Sequence, residues 1–163
     1  MSEPTLTAPK SANRSRRGRA SGQATKDAGV VEHCLAQGVA SSRDLIEIVR
    51  RGLPYSELEA LRDALDLPME RLATHVGMSR ATSQRRKQSG GTLNAIQSDR
   101  LVRLARLVGK AIDVMEGEKN ARDWLTSPQH GLGGATPLDY ADTEVGAREV
   151  ENLLGRIEHG VFS

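Results

Sequence analysis

Eight side chains in the run "SRATSQRRK" have the chemistry to read and hold nucleic acid: Ser79, Arg80, Thr82, Ser83, Gln84, Arg85, Arg86 and Lys87. Arginine and glutamine match base edges in pairs of hydrogen bonds, while lysine and arginine neutralise phosphates. Such side chains discriminate bases when a helix carries them into the major groove, N-terminal turn first. In that geometry Ser79 caps the helix and Arg80, Thr82, Ser83 and Gln84 face base edges. Arg85, Arg86 and Lys87 then reach phosphates or guanines. The alternative is a solvated basic face of an ordinary bundle.

The residues before the run supply the rest of a helix-turn-helix over 69–88. Leu72, Ala73 and Val76 mark a helix that stops at Gly77, the residue type suited to a left-handed C-terminus. Ser79 can cap the next helix, and the pair makes the motif. Ala73 is small where the helices must cross, and Met78 is the apolar residue of the turn. One position departs from the pattern. A recognition helix normally turns an apolar residue inward where this chain has Ser83, and nothing after Ala81 in the helix is apolar. The helix is therefore expected to pack weakly until DNA is bound.

Catalytic sets are not evident. His33, His75, His130 and His159 are scattered without carboxylate or cysteine companions at ligand spacing, and each reads as a surface or capping residue. "GLGG" at 131–134 lacks the Gly-Lys-Ser/Thr of a phosphate loop and reads as a tight loop. Cys34, the single cysteine, excludes an internal disulfide and reads as a small buried hydrophobe. A non-enzyme without metal or cofactor is expected.

The elements that position these residues are helical throughout, so the expected fold is all-α. Residues 1–27, rich in Ser, Thr, Ala, Pro and Arg, are expected to be disordered. Their Arg14–Arg19 stretch is either a phosphate-contacting arm or a solubilising tail. Val30, Val31, Cys34 and Leu35 suggest a weak first helix. Ser41 or Ser42 opens a second, with Leu45, Ile46 and Val49 as its apolar stripe and Gly52 as its stop. Leu58, Leu61 and Leu65 mark a third, ended by Pro68. A long helix is expected from Ser98, burying Leu101, Leu104, Ala105, Val108 and Ile112. Its Arg100, Arg103, Arg106 and Lys110 share another face, either its wet side or an extension of a phosphate-contacting surface. Trp124 and Leu125 end the next helix. "TPLD" restarts one with Thr136 as cap and Pro137 at its first position. Val150, Leu153, Leu154 and Ile157 stripe the last, which stops at Gly160.

Charge divides the chain more sharply than its net value of +2 suggests. Residues 71–110 hold nine Lys/Arg against one Asp/Glu, and residues 111–163 hold four against ten. The middle thus suits a polyanion and the C-terminal part suits something else. At 37% hydrophobic residues the chain falls below the usual share of about 45–50%. No apolar run approaches a membrane span and no secretory signal is present, so a cytoplasmic protein is expected.

The C-terminal half carries a family resemblance. "SDRLVRLARLV", "ARDWLTSPQHGLGGATPLDY" and "EVGAREVENLLGRIEHGVFS", in that order, resemble the Xre/MbcA/ParS type of antitoxin over about residues 43–163. The most specific parts are the Trp-Leu…Pro…Leu-Gly-Gly…Thr-Pro-Leu stretch and the Gly-Arg-Ile-Glu-His-Gly-Val ending. At Ser83 relatives usually carry an apolar residue. The resemblance implies an Xre-like helix-turn-helix domain, here 28–110, followed by a small helical toxin-binding domain, here 111–163. It further implies a cytoplasmic toxin–antitoxin pair, with a RES-domain toxin that consumes NAD. The antitoxin covers the toxin's active-site entrance, and the complex represses its own operon. Residue by residue, toxin contact is implied for Trp124, Pro128, Leu132, Gly133, Thr136, Pro137 and Leu138. It is also implied for Gly155, Arg156, Ile157, His159, Gly160, Val161, Phe162 and Ser163. Trp124 is equally a candidate for the core.

The tail poses the sharpest choice. Held between Gly155 and Gly160, it either presents Ile157, Val161, Phe162 and the terminal carboxylate to a partner, or Phe162 folds back over Leu153 and Ile157. The expected assembly is a homodimer on a palindromic operator. The rival function is a stand-alone regulator whose C-terminal domain dimerises or senses a small ligand.

Overall fold

The structure is a computed structural model and describes residues 29–36 and 41–160. The N-terminal arm to residue 27 and the tail residues Val161, Phe162 and Ser163 lie outside the described residues. Among the described residues the fold is all-α. The helices are α1 (Val30–Leu35), α2 (Ser42–Arg51), α3 (Tyr55–Leu65), α4 (Met69–His75), α5 (Arg80–Ser89), α6 (Ala95–Val114), α7 (Glu118–Thr126), α8 (Pro137–Tyr140) and α9 (Glu144–Glu158), with a 3-10 turn at His130–Leu132.

Caps explain most of the boundaries. Ser41, Ser79, Thr136 and Thr143 each accept a hydrogen bond from the backbone N–H three residues on. α6 begins earlier than Ser98. Asn94 accepts from Gln97 N at 2.8 Å and the Gln97 side chain accepts from Asn94 N at 3.1 Å, a reciprocal capping box. Ser98 is instead buried, its hydroxyl accepting from Leu53 N at 2.9 Å. α1 lacks a side-chain cap of its own, and Glu57 of α3 supplies one. Its buried carboxylate accepts from Val30 N and Val31 N at 3.1 and 2.8 Å.

α6 is the axis of the molecule. Leu101, Leu104, Leu107 and Ala111 are buried on it, and α1, α2, α7 and α9 all pack against it. α1 crosses so closely at Gly109 that a Cβ there would collide with the Cys34 carbonyl oxygen. One continuous core joins Leu58, Leu61 and Leu72 to Leu125, Leu138 and Leu154. α2 lies on this core only shallowly. Leu45, Ile48 and Val49 face inward, whereas Ile46, expected in the stripe, is 50% exposed. At 100° per residue, 45, 48 and 49 share a side and 46 falls off it.

Candidate functional site

The helix-turn-helix is built by α4, the turn at Val76–Ser79 and α5. Ala73 is fully buried between the helices, and its carbonyl accepts from Met78 N at 2.8 Å. Gly77 takes φ +73°, and a Cβ there would also meet the Arg100 guanidinium lying over the turn. The entry to α3 and the exit of α5 are tied together by Leu93 N donating to Leu53 O (2.7 Å) and Tyr55 N to Gly91 O (3.0 Å).

Ser83 is not a weak point. It is buried, and its hydroxyl meets the buried Tyr55 hydroxyl at 2.7 Å. Ser83 is the one buried side chain of α5. A polar pair replaces the usual apolar contact, and Ser83 faces inward rather than toward a base. Thr82 is half-buried, its hydroxyl accepting from Ser79 at 2.9 Å. Arg86 is half-buried too, its guanidinium donating to Gln97 Oε1 within the α6 cap. Arg80, Gln84, Arg85 and Lys87 are exposed. Arg80, Gln84 and Lys87 fall at i, i+4 and i+7, one face of α5. Arg80 has a loose ion pair with Glu70 at 3.8 Å.

The basic stripe of α6 divides. Arg103 donates to Glu144 of α9 at 3.2 Å, and Lys110 donates to the Glu151 carbonyl at 3.3 Å. These two serve the α6–α9 seam. Arg106 is exposed, beside a groove of about 320 Å³ lined also by Arg103, Arg148, Asp99, Glu144 and Glu151. Arg148 first, then Arg103, hold the Glu144 carboxyl below its ordinary range.

The C-terminal part presents a loop closed on itself. Gln129 donates its side-chain amide to Trp124 O and Ser127 O, both at 3.1 Å, satisfying carbonyls at the end of α7. Its backbone bridges to Ala135 O and accepts from Gly134 N, both at 3.0 Å. Gly133 and Gly134 turn the loop at φ +65° and +87°. Pro128 and Gly133 are exposed, and Thr136 is half-buried at the cap of α8. Leu132, Pro137 and Leu138 are buried, so they shape this loop from beneath. Trp124 is half-buried against the core. On α9 and its end, Arg156, His159 and Gly160 are exposed, while Gly155 and Ile157 are half-buried. Val161, Phe162 and Ser163 fall outside the described residues.

His75 corrects another expectation. It is neither a surface residue nor a cap: it is 6% exposed, with Nδ1 2.6 Å from Asp142 Oδ1. Among the described residues there is no cluster of three metal-ligating side chains, and no helix is long and apolar enough to cross a membrane. Tyr55, Gln97 and Asp142 were not singled out from the sequence. Of these, only Gln97 carried a local signal, its spacing of three from Asn94.

Comparison with known proteins gives two family matches. Residues 44–106 match the antitoxin Xre-like helix-turn-helix domain, and residues 110–160 match the antitoxin Xre/MbcA/ParS C-terminal toxin-binding domain. Among curated proteins, "Antitoxin Xre" of Yersinia enterocolitica is 31% identical over 129 residues, covering 77% of this chain and 87% of that protein. "Antitoxin Xre" of Photorhabdus laumondii is 34% identical over 125 residues, covering 76% and 84%. A protein of a Sphingobium species named "Prs ADP-ribosylating antitoxin" is 30% identical over 133 residues, with the same coverages of 76% and 84%.

Proposed function

The chain belongs to the Xre antitoxins, and from that premise we propose that it silences a cognate toxin with its C-terminal part and represses its own operon with α5. The division of labour follows the proposed domains, 28–110 for DNA and 111–163 for the toxin. The observation that carries the reading is one core bearing two different surfaces: an exposed Arg80–Gln84–Lys87 face on α5, and a closed loop at 127–136 whose Gly131 lies against Leu153 of α9.

On the DNA side, Arg80 and Gln84 stand where base edges are met, and Arg85 and Lys87 where phosphates pass. Binding as a homodimer would suit two half-sites related by a twofold axis. On the toxin side, Pro128, Gly133, Thr136, Arg156, His159 and Gly160 form the described part of the contact. Val161, Phe162 and Ser163 complete it as a plug at the toxin's active-site entrance. An aromatic seated in a pocket typically carries about 2 kcal/mol or more of binding energy. The proposed toxin is a RES-domain protein that consumes NAD in the cytoplasm. The name of the Sphingobium relative supports NAD chemistry, because ADP-ribosylation draws its ADP-ribose from NAD.

The test is co-expression with the protein encoded beside this chain's gene. The full chain should restore growth and form a stoichiometric complex, and a version lacking residues 160–163 should do neither while keeping its helical circular dichroism. Loss of helicity on that deletion would instead favour Phe162 sealing its own core. No toxicity from the neighbour, with specific binding to the upstream DNA, would favour the stand-alone regulator.

A further inference from the structure

A polar contact ties the first helix of the helix-turn-helix to the turn beside the toxin-facing loop. His75 sits on the last turn of α4, two residues before Gly77. Its Nδ1 is 2.6 Å from Asp142 Oδ1 and its Nε2 is 3.5 Å from Asp139 Oδ1. Arg71, one turn earlier on α4, places Nη2 3.5 Å from that same Asp139 oxygen. A buried imidazole between two carboxylates of another element is a directional contact, unlike the apolar packing around it.

Thr136 stands at the other end of this contact. Its hydroxyl accepts from Asp139 N at 3.2 Å and donates to Asp139 Oδ2 at 2.7 Å. One carboxylate therefore holds the cap of α8 with one oxygen and α4 with the other. Among the described residues the Thr136 side chain makes its hydrogen bonds to Asp139 alone. α4 in turn packs on α5. The path from the Thr136 hydroxyl to the recognition helix thus has three steps: its hydrogen bond to Asp139, the 3.5 Å contacts of Asp139 with His75 and Arg71, and the packing of α4 on α5.

We propose that His75 is a positioning residue through which the α8 turn sets the placement of the helix-turn-helix, so that a partner taking up the Thr136 hydroxyl frees Asp139 and loosens α4 and α5. The functional consequence rests on the reading of Thr136 as toxin-facing and of α5 as DNA-reading; the mechanical link does not.

The experiment uses the full chain and reads amide hydrogen exchange together with affinity for a duplex of the DNA upstream of its own gene, at fixed salt. Thr136→Val and Asp142→Asn should speed exchange across 69–89 and weaken the duplex by about three- to tenfold. Thr136→Ser, which keeps the hydroxyl, should restore both. Val150→Ala, a core change in α9 compared at the same thermal margin, should do neither. In a background carrying both His75→Phe and Arg71→Ala, Thr136→Val should add nothing further at α4, because both contacts of α4 with Asp139 are then cut. The proposal is overturned if Thr136→Val alters exchange only within 129–142, or if Val150→Ala reproduces its effect on α4. Failure of the unaltered chain to bind the duplex would count against the DNA reading, and the exchange data would then judge the link alone.

Discussion

Ser83 and Tyr55 share a buried hydroxyl–hydroxyl bond of 2.7 Å across 28 residues of chain, which fastens the middle of α5 to the start of α3. The bond turns a polar residue into an anchor, since each hydroxyl satisfies the other away from water. Removing one partner strands the second. Tyr55→Phe or Ser83→Ala should each cost about 1–2 kcal/mol, and the double variant should cost clearly less than their sum. Urea unfolding of the four proteins measures this directly; additive costs would show that the bond is not the anchor.

The cations of α5 should separate by role. Arg85→Ala and Lys87→Ala should each weaken duplex binding and reduce the salt slope by about one, leaving thermal stability unchanged. Arg86→Ala should lower stability instead, because its guanidinium supports the Gln97 side chain in the α6 cap. A gel-shift series across salt, set beside melting curves, distinguishes the two patterns. An Arg86 variant that loses DNA binding at full stability would reassign that side chain to the groove.

Gly109 lets α1 lie against α6. Gly109→Val should push α1 off the Cys34 contact and cost about 2–3 kcal/mol, read as a lower urea midpoint. Cys34 should then react faster with a thiol reagent, since it is buried only while α1 is seated.

Acid should act through Asp139. The Thr136 hydroxyl first, then Arg71 and His75, hold its carboxyl below the ordinary aspartate range. A carboxyl depressed in the folded chain adds stability that is complete above the unfolded value of about 4, and that stability is lost as pH falls through the lower folded value. The thermal midpoint should therefore drop below about pH 4, and Asp139→Asn should flatten that limb. The effect is modest, because Asp139 is half-exposed. A variant curve parallel to the unaltered one would remove Asp139 from the account.

Periodicity and capping made most of this fold legible in the sequence. Leu58, Leu61 and Leu65, or Val150 and Leu154, repeat at helical spacing and are buried where that spacing says. Thr136 with Pro137 and Asp139 declares α8, since its signal is confined to four residues. Contacts between distant residues left no such mark. Tyr55 with Ser83, Glu57 with the start of α1, and His75 with Asp142 are each paired across 26 or more residues. Each partner alone looks like an ordinary polar residue. Ile46 falls outside the α2 stripe because four apolar residues, Leu45, Ile46, Ile48 and Val49, lie within five positions and only tertiary packing chooses among them.

α6 runs without interruption from Ala95 to Val114, through the point at 106–110 where one family match ends and the next begins. Recombination between relatives is constrained by this. A chimera spliced at that seam would join half of one parent's helix to half of another's, mismatching its contacts with α1, α2, α7 and α9. Toxin specificity can be transplanted only with α6 taken whole from one parent, and the helices facing it from the other parent must be refitted to it.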